Sequence, residues 1–249
     1  IGQDVVLSPR ASPNAHAWLP QEEATLNMLT GSPLCILGDM PILCSAGVST
    51  PQALELMRQA GFPVSGKIYR FKHSADYLPR LRRLGAQGKR IYLSHVHAAS
   101  DIEAGRCLVP PAVLSFLNNK ASYDELVEAD CLPKRRIVPT SRLAAALSRE
   151  RLPFVVKGVT DESSGGCFDV VLCRTTEDVR KAMTLFQSLS QVVVEEFIPI
   201  LRNLCLNYAV NAAGTITYLG CAEQVVDEQG RYLGNWIGMG IEAPAQAIA

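Results

Sequence analysis

The chain has 249 residues, of which 48% are apolar and 19% charged, with 24 Lys plus Arg against 24 Asp plus Glu. This is enough apolar matter for one large domain or two modest ones, and too little charge for a disordered chain. Zero net charge leaves no basic excess for nucleic acid or an acidic membrane, no apolar run approaches the ~20 residues of a membrane span, and the N-terminus lacks the basic-then-apolar pattern of a signal peptide.

Residues 1–33 are punctuated by Pro9, Pro13, Pro20 and Pro33 and read as irregular, with one helical turn near 21–29. The run LCILG (34–38) suits a short buried strand. Thr50 before Pro51 is an N-cap and first-turn signature, and Gly61 stops the helix that follows. KIYRF (67–71) reads as a strand, SADYLPRLRRLG as a helix broken by Pro79, and RIYLSHV (90–96) as another strand. This alternation argues for a parallel sheet in a βαβ layer.

A boundary falls near residue 111. PAVLSFLNNK, SYDELVEAD and TSRLAAALSRE then carry apolar residues at helical spacing. PFVVKGV (153–159) and FDVVLCR (168–174) form two strands of a hairpin around SSGG (163–166). A helix starts at Thr176, and QVVVEEFI (191–198) is a strand. LCLNYAV, TITYLGCAEQVV and RYLGNWIG make an antiparallel meander with Gly-bearing turns. The order describes a mixed α+β chain. Ile1 and the closing APAQAIA read as cut ends of a longer chain.

The eight cysteines form no C-x-x-C pair and sit mostly in apolar runs, as free cytosolic thiols do. His95 and His97 share a face at a strand end but have no third ligand near in sequence. Lys134-Arg135-Arg136 reads as a solvated turn, although Arg135 and Arg136 could also meet a substrate carboxylate.

Three constellations could carry chemistry. Lys157 interrupts an apolar strand, so its ammonium must find an anion or reach solvent. The donor-rich stretch Ser163, Ser164, Gly165, Gly166 follows, where backbone N–H groups can approach a phosphate. Glu195, Glu196, Phe197 and Ile198 close a strand that could offer backbone groups and apolar contact to a base. Asn119-Lys120 ends a helix. Each has a plainer alternative: an edge-strand lysine beside an ordinary turn, a strand leaving for solvent at its acids, and a cation complementing a helix dipole.

In order, helix-NNK, P-x-V-V-K, the Ser/Gly loop, V-V-V-E-E-F-I and N-Y-A-V-x3-G-T-I-T-Y-L-G-x2-E-Q resemble the ATP-grasp superfamily, with the D-alanine ligase branch closest at the loop. The tail looks closest to peptide ligases of natural-product assembly. The resemblance implies a Rossmann-like pre-ATP-grasp α/β domain over 34–112. A nucleotide-binding subdomain would follow over 113–200, and the start of a second β-rich subdomain over 201–249.

It further implies ATP and Mg2+, small-molecule carboxylate and amine substrates, no nucleic-acid or membrane partner and a cytoplasmic setting. Lys120 would contact the α-phosphate side and Lys157 would bridge adenine and the α/β-phosphates. Residues 163–166 would cover the β/γ-phosphates. Glu195 would approach the adenine amino group, Glu196 would accept from it through its carbonyl, and Ile198 would donate its N–H to the ring. Asn203 would stand in for the ribose-binding glutamate, and Gln224 would line the site. The metal ligands would fall after residue 249, since Glu223, Asp227, Glu228 and Glu242 do not stand in the family's pattern. The implied activity is amide-bond formation through an acyl phosphate. Alternatives are a nucleotide-binding module without catalysis, or an α/β sugar or cofactor binder that mimics the motif order.

Overall fold

The computed structural model describes residues 4–15, 18–19, 21–64, 67–162, 168–238 and 241. The chain divides into two compact units, residues 1–127 with 159–163, and residues 128–158 with 164–249.

The first unit is built on a fully parallel four-stranded sheet. Its strands are β1 (Val5–Ser8), β2 (Ile42–Ser45), β3 (Ile68–Phe71) and β4 (Arg90–Leu93), in the spatial order β3-β2-β1-β4. Helices on both faces bury β1 and β2 completely, which is why VVLS and ILCS are continuous apolar runs rather than alternating ones. Val6, Leu43, Ile91, Tyr77, Leu81 and Leu84 pack on one face; Leu7, Ile42, Cys44, Leu34 and Leu54 pack on the other. Helix α1 (Glu23–Leu29) lies between β1 and β2 in sequence, and α2 (Pro51–Gln59) between β2 and β3. Thr50 caps α2 by accepting from the Ala53 N–H at 3.1 Å. Helix α3 (Tyr77–Ala86) buries Tyr77, Leu81 and Leu84 at helical spacing, and α4 (Pro111–Asn118) follows the last strand.

Three expectations change here. The segment read as irregular contains β1, a central strand of the sheet, while the helical turn expected near 21–29 is α1. The run 34–38 is a 3-10 turn over Ser32–Cys35 that buries Leu34 but leaves Ile36 exposed, and the strand comes later, at Ile42. Pro79 does not break α3, because it sits in the first turn, where its missing N–H has no intrahelical partner to lose.

The second unit holds two antiparallel sheets. The first orders β5 (Arg135–Pro139), β8 (Gln191–Glu196), β6 (Phe154–Gly158) and β7 (Val170–Cys173) as β5-β8-β6-β7. One face carries Phe154, Val156, Val192 and Val194 under the helices α6 (Leu143–Leu147) and α7 (Thr176–Leu185). Gly158 is required on this face, since a Cβ there would stand 3.0 Å from Leu189 and 3.3 Å from the Phe186 ring. Thr175 and Asp178 form a reciprocal capping box at the start of α7. The predicted 153–174 hairpin is the β6–β7 pair. The second sheet is the predicted meander, β9 (Leu204–Val210), β10 (Ile216–Val226) and β11 (Tyr232–Trp236), in the order β11-β10-β9. Its turns place Gly214 and Gly230 at φ near 80°, where a Cβ would be strained. Of the three segments read as helical between 111 and 150, only α4 and α6 keep a regular core; 122–130 condenses to the single turn α5 (Tyr123–Leu126).

Candidate functional site

The register of the four-stranded sheet assembles the site. One row across it reads Arg135, Glu195, Val155, Leu172, and the next row on the same face reads Ile137, Val193, Lys157, Val170. Successive strand residues point to opposite faces, so the face away from the helices presents two apolar corners and a charged centre. Lys157 Nζ lies 2.5 Å from Glu195 Oε2, and Arg135 Nη1 lies 3.6 Å from Glu195 Oε1. Glu195 is 4% exposed and Arg135 5%, while Lys157 keeps 26%. A buried carboxylate is tolerated only with its charge answered, and here both oxygens face cations. Arg135 therefore lies on the edge strand β5 with its own side chain buried, and not in the solvated turn read from the sequence; Arg136 beside it stays exposed. The signal that could have found it is Glu195 itself, which closes a run of buried valines and so needs a cation directly across the sheet.

Beside this row opens a cleft of about 650 Å³ within the second unit. Val155, Val170, Leu172, Phe197 and Ile198 supply apolar walls, and Lys157, Glu195 and Asn203 supply polar groups. From the meander come Gln224 and Val226 of β10, with their cross-strand partners Asn235 and Tyr232 of β11. A mostly apolar cleft with a few convergent polar groups is the usual form of a small-molecule site. The β8 exit is held tightly. Glu196 N–H donates to the Lys134 carbonyl at 2.9 Å, and Lys134 N–H donates to Glu196 Oε1 at 2.8 Å. Gln224 N–H donates to the Asn203 carbonyl at 2.7 Å, which fixes the start of the meander beside the cleft. Arg202 pairs with Glu223 at 3.1 Å.

The sequence-predicted residues Lys157, Glu195, Glu196, Phe197, Ile198, Asn203 and Gln224 all line this one cleft. Lys120 belongs to the first unit, opening a 3-10 turn after α4 whose N-cap is Asn119. Ser163, Ser164, Gly165 and Gly166 lie outside the described residues. The stretch just before them is anchored in the first unit. The Glu162 carboxylate accepts from the Trp18 and Leu19 N–H groups at 2.6 and 2.7 Å, and the Ser115 hydroxyl donates to Asp161. Sequence reading missed this anchor, the cleft's Tyr232 and Asn235, and the role of Arg135.

His97 is not part of a metal pair. Its Nε2 lies 2.8 Å from the Tyr77 hydroxyl and its Nδ1 lies 2.9 Å from the His95 carbonyl. Burial lowers its pKa, and burial raises that of Tyr77. Among the described residues no group of three or more His, Cys, Asp or Glu side chains could hold a metal ion. The expected Mg2+ thus has no donor set there. No helix among them is long and apolar enough to cross a membrane.

Comparison with known proteins agrees with this geometry. The family model of the L-aspartate–L-methionine ligase N-terminal domain matches residues 1–115, and that of the L-aspartate–L-methionine ligase ATP-grasp domain matches residues 133–249. Among solved structures, N5-carboxyaminoimidazole synthetase from Staphylococcus aureus, complexed with ADP, is 12% identical with a TM-score of 0.59, covering 98% of this chain and 60% of its own. An ADP complex of N5-carboxyaminoimidazole ribonucleotide synthetase is 15% identical with a TM-score of 0.54, covering 91% and 55%. The Aspergillus clavatus carboxyaminoimidazole ribonucleotide synthase complexed with ATP is 11% identical with a TM-score of 0.55, again covering 91% and 55%. The chain spans little more than half the length of these structures. With two domain models of one ligase matching in succession, a parallel-sheet unit preceding, and a lysine-bearing cleft between two antiparallel sheets, the chain belongs to the ATP-grasp superfamily of ligases.

Proposed function

We propose that this chain is the nucleotide-binding part of an ATP-dependent carboxylate–amine ligase that joins two amino acids, with L-aspartate and L-methionine as the substrates the family description suggests. The observation that carries the reading is the Lys157–Glu195 pair on the wall of a cleft with apolar corners. ATP fits such a cleft. The base has Val155, Val170, Leu172 and Phe197 for its faces, with the Glu196 carbonyl and the Ile198 N–H at its edge. Lys157 reaches the α- and β-phosphates, Asn203 serves the ribose, and Gln224 lines the opposite wall. Glu195, whose oxygens face two cations, acts chiefly by holding the Lys157 ammonium in place.

In the reaction a carboxylate oxygen of the first amino acid attacks the γ-phosphorus and ADP leaves, giving an acyl phosphate. The amine of the second attacks the acyl carbon, phosphate leaves, and the nitrogen loses a proton to form the amide. The protein's contribution is positioning and fixed positive charge, with no covalent enzyme intermediate.

The test incubates the full-length protein with ATP, magnesium, L-aspartate and L-methionine and follows ADP and dipeptide by mass spectrometry. Equal amounts of ADP and of an aspartyl-methionine dipeptide are expected. Tight ATP binding with no ADP from any pair of amino acids would replace the ligase with a nucleotide-binding module.

A further inference from the structure

The chain is electrically neutral overall, yet residues 67–90 hold eight Lys and Arg and a single acid, Asp76. The fold turns part of that excess into one place. Arg70 at the end of the edge strand β3 and Lys72 just beyond it are two residues apart. Arg80 and Arg83 are three apart, on one face of α3. These four side chains surround a pocket of about 270 Å³ at the carboxyl end of β3. In parallel α/β sheets that end is where ligands bind.

The cations are held ready. Arg70 donates from Nε to the Ser49 hydroxyl at 3.1 Å and from Nη2 to the Ser49 carbonyl at 3.3 Å, which fixes its guanidinium plane. The Arg80 Nε is buried and has no hydrogen-bond acceptor among the described residues. A buried donor on a charged group is costly to leave unmade, and an orphan of this kind marks a missing partner. None of the four cations forms an ion pair with a carboxylate among the described residues. Asp76, on the same wall, gives its Oδ2 to the His73 N–H at 3.1 Å.

We infer that this pocket binds a compact phosphate dianion, either inorganic phosphate or the phosphoryl group of a small monoester, at a site separate from the nucleotide cleft. Two guanidinium groups on α3 and one on β3, with the Lys72 ammonium, supply charged donors around one anion. The pocket's size suits one phosphoryl group with a short attached carbon chain.

The test is isothermal titration at matched ionic strength with inorganic phosphate and, separately, with glycerol 3-phosphate. It uses the wild type and the variants Arg80→Gln, Arg83→Gln, Arg58→Gln and Lys157→Met. Loss of one charge-assisted contact weakens binding by about tenfold or more, so Arg80→Gln and Arg83→Gln should each lose at least that factor. Arg58, an exposed arginine of α2 paired with Glu55, controls for charge alone, and its variant should bind as the wild type does. Lys157→Met should also keep phosphate binding. Tighter binding of the monoester assigns the pocket to a phosphorylated metabolite, and tighter binding of phosphate to the free ion. The proposal fails if the wild type shows no saturable binding of either anion. It fails equally if Arg80→Gln and Arg83→Gln bind like the wild type, or if binding disappears in Lys157→Met alone, which would put the ion in the nucleotide cleft. Because Arg83 is exposed, its variant keeps the test open should Arg80→Gln not fold.

Discussion

Both units bury charge beside a sheet, but they do so to opposite ends. In the first unit Arg10 is completely buried. It donates to Asn27 and Glu23, and its guanidinium stacks 4.8 Å over the Tyr77 ring. The Tyr77 hydroxyl lies within 2.7 to 3.3 Å of Ser8 Oγ, His97 Nε2 and the Arg10 carbonyl. Asp101, also fully buried, accepts from Ser12, Asn14 and the Ala98 N–H. These groups spend their hydrogen bonds on one another. In the second unit Arg135 and Glu195 are as deeply buried, but the third member, Lys157, keeps a quarter of its surface open to a 650 Å³ cleft. A closed network can only hold the fold together, whereas an open one leaves a positive charge for a ligand.

The largest effect that comparison predicts is at Glu195. Glu195→Leu removes the buried carboxylate that faces both Arg135 and Lys157, and takes that counter-charge away from a buried guanidinium. Breaking a buried pair from one side costs about 3–5 kcal/mol. Urea unfolding should show a drop of that order, and nucleotide affinity should fall as Lys157 loses its anchor. A variant as stable as the wild type would mean that Arg135 finds water instead.

Lys157→Met sharpens the contrast by touching the open end alone. The Arg135–Glu195 pair survives, so stability should fall by less than in Glu195→Leu. ATP affinity should fall by at least about 2 kcal/mol, roughly 30-fold, because a charge-assisted contact in a partly desolvated cleft is lost. Calorimetric titration of ATP checks this, and unchanged affinity in a folded variant would remove Lys157 from the site.

Those two positions also mark how far the sequence could be read. Lys157 stood out because a lysine inside an apolar strand demands an explanation that local structure does not give. Glu195 stood out differently, as part of a strand end that could meet a base, and its burial was not expected, since acids there read as a strand leaving for solvent. Arg135 did not, because Pro133 and a run of three cations look like a turn, and only the pairing of β5 with β8 sets Arg135 opposite Glu195. The hairpin, the meander and the capped α2 and α7 rest on local signals of alternation, Gly turns and caps, and they were legible. Strand β1 was not. Four residues with a proline directly after them carry no period, and what makes VVLS a strand is burial between β2 and β4, far along the chain. The same holds for 34–38, an apolar run whose fate was decided by which later segment reached the sheet. The polar end of the first unit was equally hidden, since Tyr77, His97 and Asp101 are brought to Ser8 and Arg10 only by the fold.

The closed network should answer to a subtler change. Tyr77→Phe deletes one hydroxyl and strands its neighbours at Ser8 and His97, at a cost of about 1–3 kcal/mol in stability. ATP affinity should not move. If Tyr77→Phe weakened nucleotide binding as much as Lys157→Met does, the two regions would not be separable in function.

The smallest effect lies in the pH dependence of that same network. Burial holds the His97 pKa below its ordinary value of 6.5, against the raising influence of the His95 carbonyl and of Asp101, and with Arg10 and His95 adding to the lowering. The folded state therefore binds the His97 proton less readily than the unfolded chain does. The neutral imidazole's contribution is fully present above pH 6.5 and is lost as pH falls from there through the lower folded value. One group can tilt stability by at most about 1.4 kcal/mol per pH unit. His97→Gln, which keeps a polar group near Tyr77 but cannot titrate, should flatten the wild type's loss of urea-unfolding stability between pH 7 and pH 5. Parallel pH profiles for the two proteins would show that the imidazole protonates without disturbing Tyr77, and that the network is looser than its distances indicate.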